Sequence, residues 1–138
     1  MTAEEFAAEL APNLKNRGYK KRRLTWVKKY PDITILFWLQ KSQFSKDVWY
    51  YNYCVGFNEF YSHEITSYNY CDIIQRFDQM YDNRLLTCSD IIAILDVWES
   101  KYSDLQNIRM LARADSLPVF TTLRAKSFLL NGKQEGFS

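Results

Sequence analysis

The apolar positions change period along the chain, and the changes mark the elements. Phe6, Leu10 and Leu14 recur at helical spacing behind Thr2-x-x-Glu5, a capping-box pattern, so a helix is predicted over 3–17. Pro12 would bend it and Gly18 stands where a helix is closed. Three strand-like runs follow, at 22–29, 33–43 and 48–57, separated by the turn Tyr30-Pro31-Asp32 and the loop Gln43–Asp47. In the third run Trp49, Tyr51, Tyr53, Val55 and Phe57 share one face, and Tyr50, Asn52, Cys54 and Gly56 share the other. The stretch 58–68 fits either a short fourth strand or an irregular loop. Beyond it the spacing reads as helical. Cys71, Ile74, Phe77 and Tyr81 form one stripe. Thr87 or Ser89 is placed to cap a helix that buries Ile91, Ile94, Leu95 and Trp98. The pattern runs on through Tyr102, Leu105, Ile108 and Ala112, as one long helix or two broken at Ser103. Ser116-Leu117-Pro118 is expected to open a last helix, and residues 132–138 to fray.

These elements predict a single α+β domain over residues 1–138. An N-terminal helix leads into an antiparallel sheet of three to four strands, with a C-terminal helical layer packed on one face. Composition changes this picture in one respect: aromatic residues make up 17% of the chain, with ten Tyr, nine Phe and four Trp. That is more than a core of this size needs, so part of the set is expected on an exposed sheet face. Which strand face the helices cover is not written in the alternation, and a one-residue slip of register reverses it.

The net charge of +2 conceals a division of the molecule. Residues 15–29 hold Lys15, Arg17, Lys20, Lys21, Arg22, Arg23, Lys28 and Lys29 and no acid, whereas residues 58–115 are acidic on balance. A basic patch suits phosphates or an acidic protein surface, although charge runs also occur simply as solvated faces. The three cysteines, Cys54, Cys71 and Cys88, are odd in number and widely spaced. They are read as reduced thiols packed among apolar neighbours, which belongs to a reducing compartment. The acidic start Met1-Thr2-Ala3-Glu4-Glu5 is unlike a secretory signal, and the run Ile35–Leu39 is too short to span a bilayer. A cytoplasmic protein without membrane partners is expected.

Catalytic patterns are missing. Glycines at 18, 56, 132 and 136 form no phosphate-binding loop. His63, the sole histidine, lies in His63-Glu64-Ile65-Thr66-Ser67, which is no zinc motif. The acids Asp72, Asp78, Asp82, Asp90, Asp96 and Glu99 fall at spacings that a solvated helix face explains. No cofactor or metal is implied. An enzyme of unrecognised type would have to draw on Gln40, Lys41, Asn52 or His63.

Several short motifs, in order, resemble a bacterial family known as domain of unknown function 4304. They are Gly18-Tyr19-Lys20-Lys21, Leu39-Gln40-Lys41-Ser42-Gln43-Phe44, Asn52 followed by Val55-Gly56, Cys71-Asp72-Ile73-Ile74-Gln75-Arg76, and Leu117-Pro118. The gap between Asn52 and Gly56 is longer than the family pattern. The resemblance implies a helix, an antiparallel sheet and a C-terminal helical layer. It implies no activity, but some members are thought to be immunity proteins, so a protein that binds and neutralises a cognate toxin is the leading expectation. Such proteins need only a complementary surface anchored by a few aromatic and Arg side chains. The expected surface is the solvent-facing sheet with its basic edge: Arg22, Arg23, Trp26, Trp38, Trp49 and Tyr51. A nucleic-acid-associated module, with the cations of 15–29 beside bases stacked on those tryptophans, is the alternative.

Overall fold

The computed structural model describes residues 1–118 and 120–131 of the chain. Helix α1 (Ala3–Asn16) begins at the Thr2 capping box, with the Thr2 hydroxyl accepting from the Glu5 N–H and Glu5 accepting from the Thr2 N–H, and it runs through Pro12. Gly18 follows with φ +88°, a backbone conformation that costs a residue with a Cβ.

Six strands form one sheet in the order β1-β2-β3-β4-β5-β8, and every neighbouring pair is antiparallel. They are β1 (Lys20–Arg22), β2 (Thr25–Lys29), β3 (Ile33–Lys41), β4 (Trp49–Phe57), β5 (Ile73–Phe77) and β8 (Phe120–Thr121). A separate small hairpin joins β6 (Met80–Tyr81) to β7 (Arg84–Leu85). Helices α2 (Cys88–Tyr102), α3 (Leu105–Arg113) and α4 (Leu123–Asn131) are the remaining helices of the described residues. The sheet has six strands where three to four were expected, and the β6–β7 hairpin stands where the helical stripe was to reach Tyr81. Three assignments within the sheet depart from the sequence pattern. The run 22–29 is a hairpin, because the chain reverses at Arg23-Leu24 with Arg23 at φ +58°. Residues 73–77, expected in a helix, form β5 because the sheet needs a partner for the free edge of β4, and tertiary pairing overrides a spacing that also fits a helix. Strand β8 is too short to show any alternation. The helix expected from Ser116 starts at Leu123 instead, after β8. The expected fraying at 132–138 lies outside the described residues.

Of the two readings left open for 88–113, the structure has two helices: α2 ends at Ser103 and Asp104 caps α3, its carboxylate accepting from the Gln106 N–H at 3.0 Å. Thr87 rather than Ser89 caps α2, in a capping box with Asp90.

The inner face of the sheet carries Trp26, Ile33, Ile35, Phe37, Leu39, Trp49, Tyr51, Tyr53, Val55, Phe57 and Ile73, all buried. Helices α1, α2 and α4 bring their apolar stripes onto it, and together these residues form the main core. Phe6 of α1 lies against Trp49 and Tyr51, at ring distances of 5.4 and 5.7 Å. The Tyr53 hydroxyl, beneath α2, donates to the Ile91 carbonyl at 3.0 Å. Arg109 of α3 donates to the Phe128 and Leu129 carbonyls at 2.9 and 2.8 Å and lies over the Phe128 ring, so α3 closes the end of α4.

The outer face has a different cover. Residues 58–72, holding the short 3-10 turns Asn58–Phe60 and Tyr68–Tyr70, fold over part of it, and Ile65 and Cys71 form a second small core with Leu36 and Cys54. Gly56 permits this approach: a Cβ there would lie 2.7 Å from the Ile65 Cδ1 and 3.0 Å from the Tyr70 carbonyl oxygen. Among the described residues no helix is long and apolar enough to cross a membrane.

Candidate functional site

Strand register decides which of the anticipated surface residues face solvent. Trp26, Trp49 and Tyr51 do not: they are at most 3% exposed, beneath the helices on the inner face. Their alternation with polar neighbours was legible, but the covered face is the one bearing more ring area, because the apolar stripes of α1 and α2 fit there. Trp26 packs on Phe37 at 5.6 Å, and Trp49 is held by Phe6. The remaining three residues are on or beside the outer face. Arg22 is exposed on β1, Arg23 is exposed in the β1–β2 turn, and Trp38 is half-buried on β3.

Across the outer face, pairing aligns Arg22, Thr25, Trp38, Asn52 and Arg76 in one transverse row. Trp38 is already stacked, 4.4 Å from the Tyr68 ring and within 15° of parallel. Asn52 is buried and donates to the Gln40 side-chain oxygen at 3.2 Å. Arg76 lies 3.7 Å over the Tyr50 ring, a guanidinium stacked on a phenol. Two amides, two stacked pairs and a cation at each end therefore share one partly covered face. Tyr50, Tyr68 and Arg76 were not anticipated. Arg76 was placed in a helix, and Tyr68 reaches the site from a loop without periodicity.

Where the row meets the sheet edge, a cleft of about 470 Å³ opens between β1–β3 and the 64–66 stretch. Val27 and Ile65 give it apolar walls, and Lys20, Arg22 and Lys29 give it positive charge. Lys29 pairs with Glu64 across the mouth at 3.7 Å, both side chains well exposed. Lys20, Arg22 and Arg23 have no acidic partner among the described residues. Arg17 and Lys28, by contrast, are engaged. Arg17 grips Asp96 with two hydrogen bonds, at 3.0 and 3.2 Å, and Lys28 lies 3.5 Å from Glu99. Glu99 also accepts from the Tyr19 and Tyr30 hydroxyls at 2.6 and 3.0 Å. Burial, and then the hydrogen bond to that carboxylate, push both phenols well above the ordinary tyrosine range. The basic segment thus divides into anchored and free halves.

The residues available for catalysis do not converge. Gln40 and Asn52 meet, but Lys41 faces inward and pairs with Glu4 at 2.6 Å. His63 lies on the covering loop between the Tyr61 and Tyr70 rings, its Nδ1 2.9 Å from the Glu64 carbonyl oxygen. Cys54 and Cys71 are free and buried together in the small core, where burial and then the neighbouring Cys71 thiol push Cys54 well above the usual thiol range. Cys88 is free and half-buried. Among the described residues no group of three or more His, Cys, Asp or Glu is arranged to hold a metal ion.

The covering loop is pinned by one network. Asp72, 1% exposed, receives the Arg124 Nε and Nη2 at 2.9 and 3.2 Å and the Thr122 hydroxyl at 2.7 Å. Arg124 also donates to the Tyr61 hydroxyl and lies over the Phe60 ring. Loop, β5 and the start of α4 are tied together there.

A family model described as a domain of unknown function, DUF4304, matches residues 10–120, most of the chain. The chain belongs to that family. The matched span runs from within α1 to the first residue of β8 and includes β1 to β5 and the covering loop. The DUF4304 motifs noted in the sequence map onto these features: the glycine-lysine corner is the entry to β1, Gln40 and Asn52 are the hydrogen-bonded amides, and Asp72 is the pinned carboxylate. No curated protein and no solved structure matches the chain.

Proposed function

We propose that this chain is a non-enzymatic binding protein that receives a partner protein on the outer face of its sheet. The form of the role we favour is an immunity protein that neutralises a cognate toxin in the cytoplasm. The observation that carries the reading is the transverse row ending in Arg22 and Arg76, with Trp38–Tyr68 and Tyr50–Arg76 stacked along it. Arg, Trp and Tyr are the residue types that dominate protein–protein hot spots, and stacking holds these with little freedom left to lose on binding. Arg23 adds a second line of support. A non-glycine residue at φ +58° costs about 1–2 kcal/mol, and glycine would remove that cost. The arginine there, without an acidic partner among the described residues, offers a cation at the same edge.

A nucleic-acid role draws less support, because two of the three tryptophans it would use lie in the core and the third is already stacked on Tyr68. An enzymatic role draws less still, since its candidate groups are dispersed.

The test is capture from the native host with the tagged protein in moderate salt, followed by mass spectrometry. One stoichiometric protein partner is expected. Reversing both Arg22 and Arg23 to Glu should abolish its capture while leaving the melting temperature nearly unchanged. Recovery of nucleic acid alone, or loss of capture and of folding together, would overturn the assignment of this edge.

A further inference from the structure

Strand β1 ends the sheet, and among the described residues it pairs with β2 alone. Its three side chains, Lys20, Lys21 and Arg22, are all exposed cations. Alternation sends Lys20 and Arg22 to the outer face, beside the cleft, and Lys21 to the inner face, where it reaches the rim of the buried Trp26 ring at 5.8 Å. An unpaired strand edge presents a row of N–H and C=O groups to any extended chain. In this strand Arg22 and Lys20 bond to β2 across the two-residue turn, so the Lys21 N–H and C=O face the open edge, with positive charge on both faces around them.

We infer that β1 is a strand-addition site for an extended acidic segment of a partner protein, with alternate Glu or Asp side chains meeting Lys20 and Arg22 on the outer face and Lys21 on the inner. The inference rests on the reading of the outer face as a partner surface and names the chemistry recognised there. Three observations choose this occupant. A second copy of the chain would oppose cation to cation along the edge, and like charges directly opposite destabilise strand pairs. A single-stranded nucleic acid would need rings to stack on, and among the described residues no aromatic side chain lines the adjoining cleft. The cleft suits acidic side chains instead: Val27 and Ile65 receive the methylenes of a glutamate, and Lys29, held only by its exposed pair with Glu64, is available to exchange that partner for the incoming carboxylate.

The probe is a fluorescein-labelled octaglutamate peptide, followed by anisotropy, with amide exchange of the full chain read by NMR in parallel. Octaglutamate should bind and slow exchange of the edge-facing Lys21 amide. Octalysine should not bind, and N-methylation of alternate octaglutamate residues, which removes N–H donors without touching charge, should weaken binding by at least about tenfold. The Lys20→Glu/Arg22→Glu variant, with unchanged melting temperature, should lose binding to a similar degree. Binding that ignores N-methylation would overturn strand addition and leave only charge attraction. Absence of octaglutamate binding, or preferential binding of octathymidylate, would overturn the assigned partner chemistry. Host capture separates this result from the broader reading: a partner retained by the outer face while octaglutamate fails defeats strand addition alone.

Discussion

Replacing Arg124 with alanine tests whether the covering loop is held by one charged network. The change leaves the Asp72 carboxylate, 1% exposed, with the Thr122 hydroxyl at 2.7 Å as its remaining side-chain donor. Removing one partner of a fully buried pair costs about 3–5 kcal/mol. The Arg124 side chain is 36% exposed, so water already screens its end of the pair, and about 2–3 kcal/mol is the expected loss. For a domain of this size that lowers the melting temperature by roughly 8–12 °C. Asp72→Ala strands less, because the guanidinium can turn to water, and about 1–2 kcal/mol is expected. The double variant should cost less than the two singles combined, by at least about 1.5 kcal/mol, since each single removes the same interaction. Urea unfolding followed by circular dichroism measures all three. If the effects add to within about 0.5 kcal/mol, the pair is not coupled and the loop is held by packing alone.

Other outcomes follow from the same physics. Tyr51→Phe should leave stability unchanged or raise it by up to about 1 kcal/mol in the same urea assay. Among the described residues its buried hydroxyl completes no hydrogen bond, and neither does the neighbouring Trp49 N–H. A clear loss would show the hydroxyl to be satisfied. Gly56→Ala should cost about 1–3 kcal/mol, because Ile65 and the Tyr70 carbonyl must yield to the new methyl, and a neutral result would show the loop to be loosely held. Arg23→Gly should stabilise the chain by about 1 kcal/mol while weakening capture of the partner, and a stabilised variant with full capture would separate Arg23 from function. Alkaline pH should destabilise the fold. Burial holds the folded pKa of Tyr19, Tyr30 and Tyr51 above ordinary tyrosine, Tyr51 at about 12, so the unfolded chain loses these protons first. Their contribution is full below about pH 10 and declines as pH climbs toward the folded values; unfolding free energies flat between pH 9 and 11 would contradict it.

Much of this architecture could be read from the chain because local signals agreed with the fold. The α1 capping box, Thr87 and Ser103 among the boundaries offered for α2, and the set of β4 side chains sharing one face are short-range chemistry that tertiary structure leaves intact. The misreadings occurred where distant partners decided the outcome. Residues 73–77 carry a spacing compatible with a helix, and only the edge of β4 makes them a strand. Arg23 gave no turn signal, because the residue that would announce one, glycine, is absent from the position that calls for it. The candidate surface was legible in its cations and not in its rings. Alternation sorted Trp26, Trp49 and Tyr51 correctly against their strand neighbours, but the choice between cover and exposure belongs to helices elsewhere in the chain. Tyr68 and Arg76 became visible only when loop and sheet were brought together.

The sheet order also sets a timetable for synthesis. Strands β1 to β5 are neighbours in both sequence and space, so they can pair as residues 20–77 leave the ribosome, whereas α2 and α4, which cover most of their inner face, emerge afterwards. In that interval α1 shields Trp49 and Tyr51, but Tyr53 and Phe57, which α2 and α4 cover in the finished fold, stand open to water and to one another's copies. A nascent chain halted after Leu86 should therefore bind a hydrophobic dye that the finished chain excludes, and equal dye binding would show that the meander waits for its helices. The cationic β1 carries its charge throughout that exposed interval. It discourages half-made chains from joining edge to edge before the last helix arrives.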